Sequence, residues 1–213
     1  MAGSRPPSDA SSRPTGARSP TTGRAVEVVV VGASAGGVGA LRGLVGALPA
    51  DLGACLLVVL HMPTTARSAL AEVLGRHSRL RVARAEDGTA VRPGALIAAR
   101  PDHHLLVDGR EVRLTRTARV NGHRPAIDPL FESAAAAFGA RALGVLLSGT
   151  LDDGVAGSAA IRDAGGLVVV QDPAEAEFPG MPQAAIDAGV AHRALPLDGI
   201  ADLISRSASR PVP

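Results

Sequence analysis

The feature that most constrains the fold is an apolar run that ends in a glycine-rich turn. Val28 to Val31 are four consecutive β-branched residues, and the segment GASAGG follows at 32–37. A run that is apolar at every position predicts a strand buried on both faces, as in a parallel sheet covered by helices. The glycines allow a sharp turn, and helical apolar spacing then continues to Leu48. The pattern therefore predicts a strand–turn–helix unit with Ser34 at the carboxyl edge of the sheet.

Two further apolar runs of the same kind lie later in the chain. The run ACLLVVL at 54–60 ends at His61, and ALGVLL at 142–147 leads into SGTLDDG at 148–154. A tight hairpin is indicated where Asp108-Gly109 separates two short apolar segments. Helical patterns alternate with the remaining strands. We therefore predict an α/β fold, with a doubly wound, mainly parallel β-sheet flanked by helices and one antiparallel hairpin.

The same patterns predict one folded domain between two tails. Residues 1–24 are rich in Ser, Pro and Arg and show no apolar periodicity, which predicts a disordered basic tail. The folded domain is expected to extend over 25–205, and 206–213 form a short C-terminal tail. No second folded domain is expected.

Composition excludes several classes of function. The formal net charge is only +2 and the aromatic residues are three Phe, which argues against a nucleic-acid partner. All basic residues are arginine, so a Schiff-base lysine and a P-loop lysine are both excluded. The lone Cys55 cannot form an internal disulfide, which predicts a reduced, cytoplasmic location. No apolar run is long enough to span a membrane, so no membrane insertion is expected.

Three of the predicted strands are followed by side chains that together suit nucleophilic catalysis. Ser34 follows the first strand, His61 follows the second, and Asp153 lies shortly after ALGVLL. The carboxyl ends of parallel strands share one edge of a sheet, so residues distant in sequence converge there. A serine needs an adjacent imidazole to take its proton, and a carboxylate orients that imidazole. These three residues are therefore a candidate Ser-His-Asp triad.

Each of the three residues also has a structural explanation. Ser34 suits a helix N-cap, His61 suits an ordinary strand end, and Asp153 precedes a glycine as turn residues do. The segment Gly32 to Gly36 matches G-x-S-x-G, but the order Ser, His, Asp differs from that of the α/β-hydrolases. The residues alone are thus compatible with a triad on a different sheet or with three unrelated turn positions.

Five segments in one order resemble a known family: GASAGG, LHMP, HRPAIDPLF, SGTLDDGVAG and FPGMPQAAI. Together they are similar to the catalytic domain of the chemotaxis-receptor methylesterases (CheB-type protein-glutamate methylesterases), from about residue 26 to residue 204. The resemblance implies hydrolysis of glutamate methyl esters on chemoreceptors with release of methanol, and in some members deamidation of receptor glutamines. It assigns the triad to Ser34, His61 and Asp153. Asp153 is preferred to Asp152 because the family's acid directly precedes a glycine.

The sequence departs from the family pattern at several positions and in its domain content. Many members carry Thr where Ala35 stands, and the usual T-G-M-G-x-D-G segment has Met and Gly in place of Thr150 and Leu151. Members often carry an N-terminal phosphoacceptor domain, and 1–24 is too short for one. The expectation is a stand-alone catalytic domain that phosphorylation in cis does not control.

Other polar residues invite different interpretations. His103, His104, His123 and Asp128 match no standard zinc spacing, so neither a metal nor a cofactor is expected. The histidines are instead expected in loops that line the substrate crevice. Arg124, within a segment that resembles a family stretch near the active site, is expected to contact substrate.

Two alternative functions are compatible with parts of the sequence. A Rossmann-type nucleotide binder would use the first strand and its glycine-rich turn, but Ser34 occupies the place of the second fingerprint glycine, and His61 stands where an acid is expected. A divergent, inactive signalling-binding module would explain the changes at Thr150 and Leu151. The expected partner in the main interpretation is a methylated chemoreceptor or a related signalling protein.

Overall fold

The computed structural model describes residues 25–65 and 69–208. The predicted tail at 1–24 lies outside these residues, as does 209–213. The strands in chain order are β1 (Val28–Ala33), β2 (Cys55–Leu60), β3 (Arg81–Arg84), β4 (Ala95–Ala98), β5 (His104–Asp108), β6 (Glu111–Thr115), β7 (Ala142–Leu146), β8 (Leu167–Gln171) and β9 (Arg193–Leu195). The helices are α1 (Gly37–Ala47), α2 (Leu70–Gly75), α3 (Ile127–Phe138), α4 (Val155–Asp163), α5 (Gly180–Asp187) and α6 (Leu197–Ser207), with a 3₁₀ turn at Gly139–Arg141.

Seven strands form one parallel sheet in the order β3-β4-β2-β1-β7-β8-β9, and β5 pairs with β6 as a separate antiparallel hairpin. This arrangement confirms the predicted fold class. From β1 the chain builds outward through β2 on one side, and it later returns to add β7, β8 and β9 on the other. The strand order therefore reverses between β1 and β7, which is where open α/β sheets bind ligands.

The central strands are buried on both faces, as their uninterrupted apolar sequences predict. One face packs against α1, α2 and α6 through residues such as Leu41, Leu74 and Ile204. The other face packs against α3, α4, α5 and the hairpin through residues such as Phe131, Ile161 and Leu105. The core is therefore divided by the sheet into two aliphatic layers.

Helix α6 closes the first layer and ends at Ser207, two residues beyond the predicted domain boundary at 205. The backbone N–H of Val26 donates to the Ser207 carbonyl at 2.8 Å, which joins the end of α6 to the start of the sheet. Among the described residues, no helix has both the length and the apolar character needed to span a membrane.

Candidate active site

Ser34 lies in the turn between β1 and α1, at the switch point of the sheet. Its backbone N–H donates to the Ser148 carbonyl at 3.0 Å, so the turn after β1 is held against the end of β7. Gly36, the residue before α1, has φ +69°, and a Cβ there would lie 2.7 Å from Ser148 Oγ. Only glycine accommodates both that conformation and that contact. The glycine-rich sequence thus places Ser34 at the edge of the sheet.

Ser148 is a buried polar residue that connects three segments around Ser34. Its Oγ donates to the Ala35 carbonyl at 2.8 Å and accepts from the Phe178 N–H at 3.0 Å. Its backbone N–H donates to Gln171 Oε1 at 2.9 Å. Because a buried hydroxyl with satisfied partners has little freedom, these bonds hold the Ser34 turn in one conformation.

His61 directly follows β2 and faces Ser34. Its backbone N–H donates to the Ala33 carbonyl at 3.0 Å, which fixes the start of the segment that follows β2. The ring atom Nδ1 lies 3.1 Å from Ser34 Oγ, and Nε2 lies 2.6 Å from Asp153 Oδ2. With the Nε2 proton donated to Asp153, Nδ1 is free to accept the hydroxyl proton of Ser34. The structure therefore brings together all three predicted site residues.

Asp153 is a buried carboxylate with four hydrogen-bond donors. Oδ2 accepts from His61 and from the Ile127 N–H at 2.7 Å, while Oδ1 accepts from Asn121 Nδ2 at 3.0 Å and the Asp128 N–H at 3.2 Å. Burial raises the pKa of Asp153, but the bonds from His61, Ile127 and Asn121 outweigh it and lower the pKa to about 2. The carboxylate is therefore ionised at neutral pH and stabilises a protonated His61.

Asp128 is a second buried carboxylate next to Asp153. Oδ1 accepts from the backbone N–H groups of Gly154 at 2.9 Å and Gly157 at 2.7 Å, which are the unpaired donors at the start of α4. Oδ2 accepts from Asn121 Nδ2 at 2.9 Å, so that one amide group joins both carboxylates. Burial, and then the charge of Asp153, raise the pKa of Asp128 to about 6. Asp128 thus caps α4 and supports the position of Asp153.

His123 stacks on the imidazole of His61. The two ring centroids are 3.6 Å apart and the ring planes differ by 7°. Burial, followed by the nearby charge of His61, lowers the pKa of His123. A neutral imidazole therefore covers one face of the His61 ring.

A cleft of about 410 Å³ opens beside this stacked pair, and it is lined by His61, Met62, Pro63, Thr64, Thr65, Arg119, Gly122, His123 and Arg124. Arg119 is exposed, and its guanidinium lies 3.4 Å from Thr64 Oγ1. The cleft therefore offers a cation beside His61.

The substrate contact of Arg124 stays a prediction, and the structure shows that this cleft residue also holds a loop. Its guanidinium pairs with Asp102 and donates to the carbonyls of Arg116 and Thr117 at 3.2 and 2.7 Å. Although Arg124 lines the cleft, its hydrogen bonds hold the loop after the hairpin in place. Arg119, which the sequence reasoning did not select, is the arginine that is exposed in the cleft.

The other loop histidines are also structural. His104 is buried, with Nε2 3.0 Å from the Ala118 carbonyl and Nδ1 3.3 Å from the Ala126 N–H, so it does not line the crevice as expected. His103 Nδ1 lies 3.0 Å from the Pro101 carbonyl. Within 25–65 and 69–208, no three His, Cys, Asp or Glu side chains are grouped to hold a metal ion.

Comparison with known proteins decides the family. Residues 29–204 match the family model described as CheB methylesterase. The chain belongs to the CheB methylesterase family. A crystal structure of the Thermotoga maritima CheB methylesterase catalytic domain superposes with a TM-score of 0.81 at 32% identity, over 86% of this chain and 99% of that one.

Curated relatives of the CheB family carry a double name. A Myxococcus xanthus protein named protein-glutamate methylesterase/protein-glutamine glutaminase 5 is 39% identical over 85% of this chain and 53% of its own length. A Pseudomonas aeruginosa protein with the same name and the number 2 is 40% identical over 86% of this chain and 54% of its own length. The chain thus spans about half the length of these relatives.

Proposed function

We propose that this domain hydrolyses the γ-methyl ester of glutamate residues on a chemoreceptor-like signalling protein and releases methanol. The observation that carries the proposal is the pair of hydrogen bonds from Ser34 to His61 at 3.1 Å and from His61 to Asp153 at 2.6 Å. The names of the relatives add deamidation of glutamine side chains, which needs the same attack on a side-chain carbonyl. The assembled triad favours hydrolysis over both the inactive binding module and the nucleotide binder.

In the proposed first half-reaction, Ser34 Oγ attacks the ester carbonyl carbon while His61 Nδ1 takes the hydroxyl proton. The resulting imidazolium is stabilised by ionised Asp153, which stays unprotonated throughout. Collapse of the tetrahedral intermediate breaks the bond to the methoxy oxygen, and His61 returns its proton to that oxygen so that methanol leaves. The product of this step is a glutamyl ester of Ser34.

In the second half-reaction, water attacks the glutamyl-enzyme with His61 again as the base. The C–O bond to Ser34 Oγ breaks, His61 reprotonates Ser34, and the substrate is left with a free glutamate side chain. For a glutamine substrate, ammonia leaves in place of methanol and the second half-reaction is identical.

The oxyanion formed in both steps needs N–H donors near Ser34. The N–H groups of Ser34, Gly37 and Gly149 already donate to the carbonyls of Ser148, Ser34 and Phe178. The candidates in the two surrounding turns are therefore the backbone N–H groups of Ala35, Gly36 and Thr150. Losing one such donor typically costs about 2.7–4 kcal/mol of transition-state stabilisation.

The proposed partner is a methylated receptor segment, and the proposed location is the cytoplasm. Cys55 is fully buried and burial raises its thiol pKa to about 12, so it is an unreactive core residue. A single free thiol of this kind agrees with the reducing location proposed for the reaction.

The first test measures methanol release from a methylated chemoreceptor fragment by the wild type, Ser34→Ala and Ser158→Ala. Ser34→Ala is expected to lower kcat by about 10⁴-fold or more, since the nucleophile is lost. Ser158 is the matched control because its buried Oγ has no hydrogen-bond partner among the described residues, so its removal should leave the rate unchanged. Equal release by the wild type and Ser34→Ala would contradict the nucleophile assignment. No release by the wild type would contradict the proposed activity.

A further inference from the structure

Asn121 is the only asparagine of the chain, and it contacts both buried carboxylates of the candidate active site. Its Nδ2 lies 2.9 Å from Asp128 Oδ2 and 3.0 Å from Asp153 Oδ1. An amide nitrogen carries two hydrogens, so one is available for each carboxylate. Asp128 and Asp153 are 6% and 2% exposed, whereas Asn121 is an exposed residue. A side chain at the surface thus directs both of its N–H donors inward, to the acid of the triad and to the neighbour of that acid.

Asp128 and Asp153 form a close carboxylate pair that needs donors between its oxygens. Burial, and then the charge of Asp153, raise the pKa of Asp128, because the two groups interact. Neighbouring carboxylates relieve their repulsion by sharing a proton unless other donors lie between them. A proton shared in this way would remove charge from Asp153, and a less charged carboxyl group stabilises the imidazolium of His61 less. The hydrogen bonds from Asn121 therefore favour the ionised form of Asp153.

A tight turn within the loop after the hairpin holds Asn121 in place. The Val120 N–H donates to the His123 carbonyl at 3.1 Å, and the His123 N–H donates to the Val120 carbonyl at 2.8 Å. The two central residues, Asn121 and Gly122, have φ +51° and +79°. Positive φ at both central positions is typical of a type I′ turn, for which Asn-Gly is a preferred sequence. The turn fixes the direction of an amide that an exposed, flexible loop would leave free to rotate.

The same turn also reaches the imidazole of the triad. His123, its last residue, stacks on His61 with ring centroids 3.6 Å apart. One turn of four residues therefore contacts both the proposed base and, through Asn121, the carboxylate that orients this base. Among the described residues, the lining of the cleft includes Gly122 and His123 but not Asn121. Asn121 thus acts on the triad through Asp153 rather than through contact with the substrate.

We propose that Asn121 is a positioning residue of the triad, which holds Asp153 Oδ1 so that the ionised carboxylate stays aligned with His61. With Oδ1 fixed by the amide, Oδ2 remains at His61 Nε2 while His61 takes up and returns the proton of Ser34. The same amide separates Asp153 from a shared proton on Asp128. This inference rests on the proposed function for the reaction that the triad performs, whereas the hydrogen bonds that it describes are measured without turnover.

The kinetic test measures kcat and KM for methanol release from a methylated chemoreceptor fragment at pH 8 by the wild type, Asn121→Gly and Asn121→Asp. Both replacements tolerate positive φ, but glycine supplies no donor and aspartate presents an acceptor to two carboxylates. Each is expected to lower kcat about tenfold or more and to keep KM within about twofold. The matched control is Asp108→Gly, in the exposed turn of the hairpin, which should keep the wild-type kcat. A wild-type kcat in Asn121→Asp, or a loss carried by KM, would overturn the inference.

A spectroscopic measurement separates this inference from the proposed function. The proton between His61 Nε2 and Asp153 should give a downfield NMR signal in the protein without substrate, identified by its loss in Asp153→Ala. Asn121→Gly is expected to move this signal upfield or to broaden it by faster exchange with water, and Asp108→Gly should leave it unchanged. That result would support the role of Asn121 even if the wild type released no methanol, an outcome that would reject only the esterase proposal. An unchanged signal in Asn121→Gly, or no such signal in the wild type, would overturn the inference and leave the esterase proposal to the Ser34→Ala comparison.

Discussion

His123 shows at the scale of a residue how the environment of the proposed base is controlled. Its ring lies parallel to that of His61 with centroids 3.6 Å apart, so the two imidazoles cannot both carry a proton without strong repulsion. Burial first, and then His61, lower the pKa of His123, and Arg119 acts in the same direction while Asp153 opposes it. His123 is therefore neutral when His61 accepts the proton of Ser34.

We expect His123→Phe to retain kcat within about threefold near neutral pH, because a flat ring still covers His61, whereas His123→Ala should lower kcat about tenfold by admitting water. The pH profile supplies the decisive measurement. The stacked pair of the wild type can hold one proton without strong repulsion, and His123→Phe leaves His61 as its only acceptor, so the variant should keep a smaller fraction of its neutral-pH rate on acidification than the wild type does. Identical acid limbs for the wild type and His123→Phe would contradict this account.

Individual residues divide into those that a sequence pattern predicts and those that it does not. Ser34, His61 and Asp153 each follow a buried strand, so the edge of the sheet brings them together. His123 lies in a loop that lines the cleft, as predicted, but its stacking on His61 was not predicted. Asn121 lies in the same irregular loop, and its position depends on distant contacts. Asn121 has φ +51° and reaches both Asp128 and Asp153, which no local pattern indicates.

Helix α4 shows how one element depends on a side chain of another. Its sequence begins after Gly154 without a polar N-cap, and the missing acceptor is Asp128 of α3. The sequence analysis considered Asp128 only beside the loop histidines, as a metal ligand that no zinc spacing supports. Asp128 lies 26 residues before Gly154, so the packing of α3 on α4 decides whether it can cap α4. No local sequence pattern indicates so distant an acceptor.

Asp128→Ala is expected to lower the free energy of unfolding by about 2–4 kcal/mol, because two buried N–H groups of α4 lose their acceptor. The kcat should fall as well, since Asn121 and the segment of Asp153 lose a support. Asp163→Ala is the control, because it removes an exposed carboxylate from the other end of α4 and should be neutral. Denaturant titration of both variants gives the comparison, and equal stabilities would contradict the capping role.

The same Asp128 variant has an expected pH dependence. Burial raises the pKa of Asp128 to about 6, above its ordinary 3.8, so the folded state holds a proton that the unfolded state has already released between those values. Stability from this group is therefore fully present below about pH 4 and is lost as the pH rises through 6. The stability difference between the wild type and Asp128→Ala should consequently be larger at pH 4.5 than at pH 7.

At the scale of the whole molecule, the fold follows from apolar strand runs that alternate with helical patterns in the sequence. Uninterrupted apolar runs predicted buried parallel strands, and the structure places β1, β2 and β7 side by side at the centre of the sheet. The strand order across the sheet and the support that the loop after the hairpin gives to Asp153 were not predicted, because long-range packing decides both. Ile127 links the core to the candidate active site, since its N–H donates to Asp153 and its side chain packs on Gly32 of β1.

Two glycine variants test this coupling between core and site. A Cβ at Gly32 would lie 2.5 Å from Ile127 Cγ2, so Gly32→Ala should displace Ile127, destabilise the fold by about 1–3 kcal/mol and lower kcat. A Cβ at Gly39, within α1, has no atom within 4 Å, so Gly39→Ala should stabilise the protein by about 0.5–1 kcal/mol and leave kcat unchanged. Unfolding and methanol-release measurements on both variants check the pair. A stable Gly32→Ala variant with full activity would show that Asp153 does not depend on the packing of Ile127 against the central strand.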